Sequence, residues 1–83
     1  MVNLSKRQKE KLKEIECLRL DFLNNKHKAY KKGISRIIID KWTNLMCSYL
    51  WYKEMCARFT CKYRETMNLE LKKVQEFEIQ NKL

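Results

Sequence analysis

One glycine and no proline occur among the 83 residues of this chain, and no other feature restricts its fold as strongly. Tight turns need residues that reach positive φ or that hold φ near −65°. Without them, sheets built from two-residue β-hairpins have nothing to turn on. Lys, Glu, Leu, Met, Gln and Arg, all good helix formers, make up much of the sequence instead. The fold class expected is therefore all-α, with residues 1–83 as one small domain. A chain of this size buries little surface by itself, and self-association is a common way to supply the missing core.

Ser5 and Gln8 have the Ser-x-x-Gln spacing of a capping box, which places a helix start there. From that point Leu4, Leu12, Ile15, Leu18, Phe22, Leu23, Ala29 and Tyr30 fall on one side of a helix, within about 140° at 100° per residue. The spacing predicts a first helix over 5–31 and a turn at 32–35. Gly33, just past Lys31 and Lys32, is the natural stop, and Ser35 is placed to cap the second helix.

The second half carries two apolar stripes. Ile38, Trp42, Leu45, Tyr49, Tyr52, Cys56, Phe59 and Tyr63 alternate at four and three residues, the seam of a coiled coil or bundle. Met67, Leu71, Val74 and Phe77 continue it with a change of step near Tyr63–Leu71. This predicts a heptad-patterned second helix over 36–80, either continuous or broken near 66–68. Ile39, Met46, Leu50, Ala57 and Cys61 form a second stripe beside the first. Two stripes call for two neighbours, and the first helix supplies one. The expected architecture is a helical hairpin that dimerises into a four-helix bundle. Ile39, Met46, Leu50, Ala57 and Cys61 would then form the protein interface, with Trp51, off both stripes, as a further external contact, to a protein partner or to a base. In the alternative, a monomeric three-helix bundle, the C-terminal segment folds back over the second stripe. Tyr52 and Phe59 belong to the core in either arrangement.

Lys and Arg number 19 against 10 Asp and Glu, a formal charge of +9, and the excess is uneven. Residues 1–33 hold ten basic groups against four acidic, residues 34–64 six against two, and residues 65–83 three against four. Lys6, Lys9 and Lys13 share a face of the first helix opposite its apolar side, and Lys31 returns to it. Lys26, Lys28, Lys31, Lys32 and Arg36 surround the turn as a cationic tip. Such a surface suits the phosphates of a nucleic acid, DNA or RNA, or another polyanion, recognised by shape and charge. In architecture and charge, though in no motif, the expected dimer is similar to small viral suppressors of RNA silencing, helical hairpins that bind duplex RNA. The competing expectation is a non-enzymatic protein-interaction module, such as a viral or phage host-modulating factor or a small subunit of an assembly, docking through the apolar face of the second helix.

Catalysis is not expected. His27, the only histidine, sits between Lys26 and Lys28, where nothing in the sequence brings it beside a thiol. A glycine-rich phosphate loop is impossible with one glycine. Cys17, Cys47, Cys56 and Cys61 lack the paired spacing of a zinc site, so no metal and no cofactor are expected. A Cys17–Cys47 bridge would fit a hairpin turning at Gly33, but the N-terminal stretch lacks the apolar run of a secretory signal. That favours a reducing, intracellular setting, the cytoplasm first and the nucleus second, with free thiols. The longest stretch without a charge, Trp42–Tyr52, is shorter than the ~18 residues of a membrane span.

Overall fold

Ser5 opens the first helix by the reciprocal bonds that its spacing to Gln8 suggests. Its Oγ accepts the Gln8 backbone N–H at 3.2 Å, and Gln8 Oε1 accepts the Ser5 N–H at 2.8 Å. The computed structural model describes residues 5–59 and 61–83, and the side chain of Cys61 also lies outside what is described. Leu4, placed on the apolar side of the first helix, falls outside the described residues. From its cap, α1 runs over Lys6–Lys31. Gly33 follows with φ +83°, the left-handed conformation that glycine adopts without penalty. Its N–H reaches the Tyr30 carbonyl at 3.1 Å, and the Ile34 N–H reaches Ala29 at 3.2 Å. These are the paired bonds of a Schellman stop, and Ile34 packs against the cluster that contains Ala29, as that motif favours.

α2 covers Arg36–Arg58. Ser35 holds its N-cap position but makes no side-chain capping bond, contrary to expectation. The helix does not continue to residue 80, nor does it break at 66–68. A 3₁₀ turn at Cys61–Tyr63 leads into α3, Arg64–Gln80. α2 ends at Arg58, and the sequence that follows it, Phe59-Thr60-Cys61, joins aromatic, β-branched and thiol side chains with weak helix propensity. Such preferences are small, so the break becomes favourable because it lets α3 bury its apolar side. The end of α2 is also capped from outside: Gln8 Nε2 donates to the Arg58 carbonyl at 3.1 Å, satisfying one of the orphan acceptors of the last turn.

α2 packs against both α1 and α3. α1 and α2 run antiparallel, with the Phe22 and Trp42 rings edge to face at 4.7 Å near one end and Gln8 on Arg58 at the other. α3 reverses again, so that Arg64 and Met67 lie across a cleft from Lys11 and Ile15. The result is a three-helix, elongated body of 44 × 23 × 17 Å. Its radius of gyration of 14.2 Å exceeds the ~12 Å expected for a compact 83-residue domain.

The core lies in two clusters. Ile15, Tyr49, Leu50, Ala57 and Val74 form one, nearer the Phe59–Tyr63 break. Phe22, Ala29, Ile39 and Trp42 form the other, nearer the Gly33 turn, and Met46 packs against both. This corrects the assignment of the second stripe. Ile39 is fully buried and Leu50 and Ala57 nearly so within one chain, while Met46 is half-buried. They are core, not surface awaiting a second copy, because the two neighbours that the stripes require are α1 and α3. Phe59 is corrected in the opposite sense: it is 66% exposed, since the seam loses its frame where α2 ends. Leu18, Leu23 and Tyr30, on the expected apolar side of α1, are also exposed. Among the described residues there is no strand, and no helix is long and apolar enough to cross a membrane.

Candidate nucleic-acid interface

Helical periodicity alone positions the basic face. At 100° per residue, Lys6, Lys9, Lys13 and Lys31 lie within about 60° of one another on α1. All four are exposed, as are Lys28, Lys32 and Arg36 around the Gly33 turn. Lys28 and Lys31 stand in the last turn of α1, where the partial negative charge of unsatisfied carbonyls favours cations. The face is not uniform. Lys13 and Lys28 are separated by about 22 Å at 1.5 Å per residue, and between them Leu20 is exposed. The surface therefore offers two cationic groups at the ends of one rod.

Their charge is not neutralised locally. Among the described residues, Glu54 pairs with Arg58 at 3.1 Å and with Arg19 at 3.6 Å, and Glu70 pairs with Lys73 at 3.4 Å. None involves Lys6, Lys9, Lys13, Lys28, Lys31, Lys32 or Arg36. With α3 close to neutral, the positive potential concentrates along α1 and the turn, and such a field raises the encounter rate with a polyanion.

The residues singled out on α2 divide. Trp51 is 52% exposed, whereas Ile39, Leu50 and Ala57 are almost wholly enclosed within the chain. Cys61 belongs to the 3₁₀ turn. Trp51 is also part of an arrangement that the sequence does not reveal. Tyr52 meets it edge-on at 4.9 Å, and Tyr63, brought back by the break after Phe59, stands at 6.4 Å from Trp51 and 6.0 Å from Tyr52. The weak helix propensity of residues 59–61 is the one signal that could have found it.

A cleft of about 200 Å³ opens beside the Gly33 turn, lined by Lys28, Lys32, Trp42, Glu78 and Lys82 among others. The indole Nε1–H of Trp42 is buried there without a completed hydrogen bond. Desolvation by burial pushes the Glu78 carboxyl above the ordinary range, and its approach to the Trp42 indole partly offsets this. A carboxyl whose folded pKa is raised costs stability when ionised, and that cost fades as pH falls through the carboxylate range. Glu78→Gln is therefore expected to raise the melting temperature at neutral pH, with the gap to the parent chain narrowing toward pH 4. A lower melting temperature for the variant at pH 7 would show that the charged carboxylate stabilises the fold.

Cys17, Cys47 and Cys56 are free thiols, the first two exposed and the third half-buried. The bridge allowed between Cys17 and Cys47 is not formed. Among the described residues no three His, Cys, Asp or Glu side chains come together as a metal site. No protein-family model matches this chain, and no curated protein or solved structure is significantly similar to it.

Proposed function

We propose that this chain is a non-enzymatic nucleic-acid-binding protein that holds a duplex, RNA or DNA, by its phosphates through the outer face of α1 and the Gly33 tip. The observation that carries the proposal is the set of seven exposed basic side chains, Lys6, Lys9, Lys13, Lys28, Lys31, Lys32 and Arg36, none of them in an ion pair. Phosphate contacts require cations in register along a surface and no base-reading side chains. A rigid rod with a cationic group at each end meets that requirement. Burial of the two α2 stripes needs no second copy of the chain, although a two-fold pair would lengthen the basic face. The test is retention on heparin, duplex RNA and duplex DNA across a salt series. Three or four simultaneous phosphate contacts predict a slope of log affinity against log salt near −3 on B-DNA, at roughly −0.9 per contact. A flat salt response would end the proposal.

Docking to a protein is the second reading, supported by the exposure of Trp51 beside Tyr52 and Tyr63, residue types that dominate binding hot spots. Binding of that kind would be nearly indifferent to salt.

A further inference from the structure

Between α1 and α2 lies a cleft of about 290 Å³. Phe22, Met46 and Leu50 lie along it, Trp51 lines its α2 side, and Arg19 and Lys26 line its α1 side. We propose that this cleft receives an unpaired base of a single-stranded segment, with the Trp51 ring as its stacking surface and Arg19 and Lys26 meeting the adjoining phosphates. This rests on the nucleic-acid reading and deepens it, since the duplex-holding face of α1 by itself has no means of telling paired from unpaired strands.

Three observations point to a base. Trp51 is half exposed yet fixed in orientation: Tyr52 is nearly perpendicular to it, at 85°, and Tyr63 is inclined at 66°. A ring already held in place loses little freedom on binding, and every base presents a π-face to it. The volume is at the lower limit of small-ligand pockets, about 300–1,000 Å³, which suits one flat ring better than the row of anchors on a docking helix. The charge of the rim favours a polyanion. Its carboxylate, Glu54, is held by Arg58 at 3.1 Å and more loosely by Arg19 at 3.6 Å. Arg19 can therefore turn to a phosphate while Glu54 keeps its closer partner.

The experiment compares a labelled 12-nucleotide oligo(dT) with an abasic strand of the same length and charge, by fluorescence anisotropy, on the parent chain and on Trp51→Ala and Trp51→Tyr. Trp51 lies outside both core clusters, so circular dichroism of both variants should match the parent. The parent should bind oligo(dT) about ten-fold more tightly than the abasic strand, the order expected for one stacked base. Trp51→Ala should remove that difference and leave heparin retention unchanged, and Trp51→Tyr should keep most of it. Equal binding of the two strands by the parent overturns the proposal. So does unchanged oligo(dT) affinity in Trp51→Ala, the outcome if the cleft serves a protein. An equal loss on both strands in Trp51→Ala, marking a structural role, overturns it as well. If heparin and duplex are retained while base dependence is absent, only the cleft assignment fails. If none of the nucleic acids binds, the nucleic-acid reading fails with it.

Discussion

Truncating Trp42 to alanine is expected to remove a large share of the chain's stability, about 3–5 kcal/mol. Removing a buried aromatic carries this cost through lost burial and the cavity left behind. A chain of this length has a total stability of only about 4–12 kcal/mol, at ~0.05–0.15 kcal/mol per residue. Trp42 is almost fully enclosed, stacks edge-on with Phe22 and joins α1, α2 and the residues that close the turn into one cluster. Ile39→Ala should fall in the same range, because Ile39 has no exposed surface. Phe59→Ala is the control and should shift stability by about 0.5 kcal/mol or less, as for an exposed position away from special features. Urea denaturation followed by circular dichroism measures all three. Equal losses for Phe59 and Trp42 would mean that α2 continues through residue 59 with its heptad frame intact.

Replacing Lys9, Lys13, Lys28 and Lys31 together by glutamine should abolish most polyanion binding while leaving the helical signal unchanged. The four side chains are exposed, and none contributes to either core cluster. Glutamine is close to lysine in helix propensity, so α1 has no reason to fray. Each lost phosphate contact should flatten the salt slope by about 0.9, and the combined loss near 0.15 M salt should be on the order of 10²–10³-fold. Trp51→Ala is the contrasting variant for the duplex. If it alone weakens partner binding while the four glutamines do not, the working surface is the aromatic end of α2 and the partner is a protein.

The elements with a local chemical signal were legible in the sequence. The Ser5–Gln8 spacing and the lone Gly33 mark both ends of α1 because capping involves residues only three to five apart. The outward direction of Lys6, Lys9, Lys13 and Lys31 follows from periodicity, and the exposure of Trp51 from its place off both stripes. The two stripes on α2 do state that the helix has two neighbours. They do not state whose. A second copy and the folded-back C-terminal third present the same kind of apolar surface, and the choice depends on where the long helix ends. That end was not legible, because propensity differences among Phe, Thr, Cys and their neighbours are a few tenths of a kcal/mol, far less than what α3 gains by burying Val74 and Leu71. The misplacement carried Phe59 into the expected core and left the Trp51–Tyr52–Tyr63 group unseen.

Met46 sits between the two core clusters and touches both. Its unbranched thioether adapts to its surroundings rather than fixing them. The side-chain packing between the two clusters is therefore expected to be softer than the packing within either. Amide hydrogen exchange should resolve this as two zones of protection, one around the Gly33 turn and one around the break after Phe59, each with its own opening free energy. With α1 and α2 unbroken across this boundary, side-chain packing can loosen at one end while the rod that carries the basic groups keeps its length.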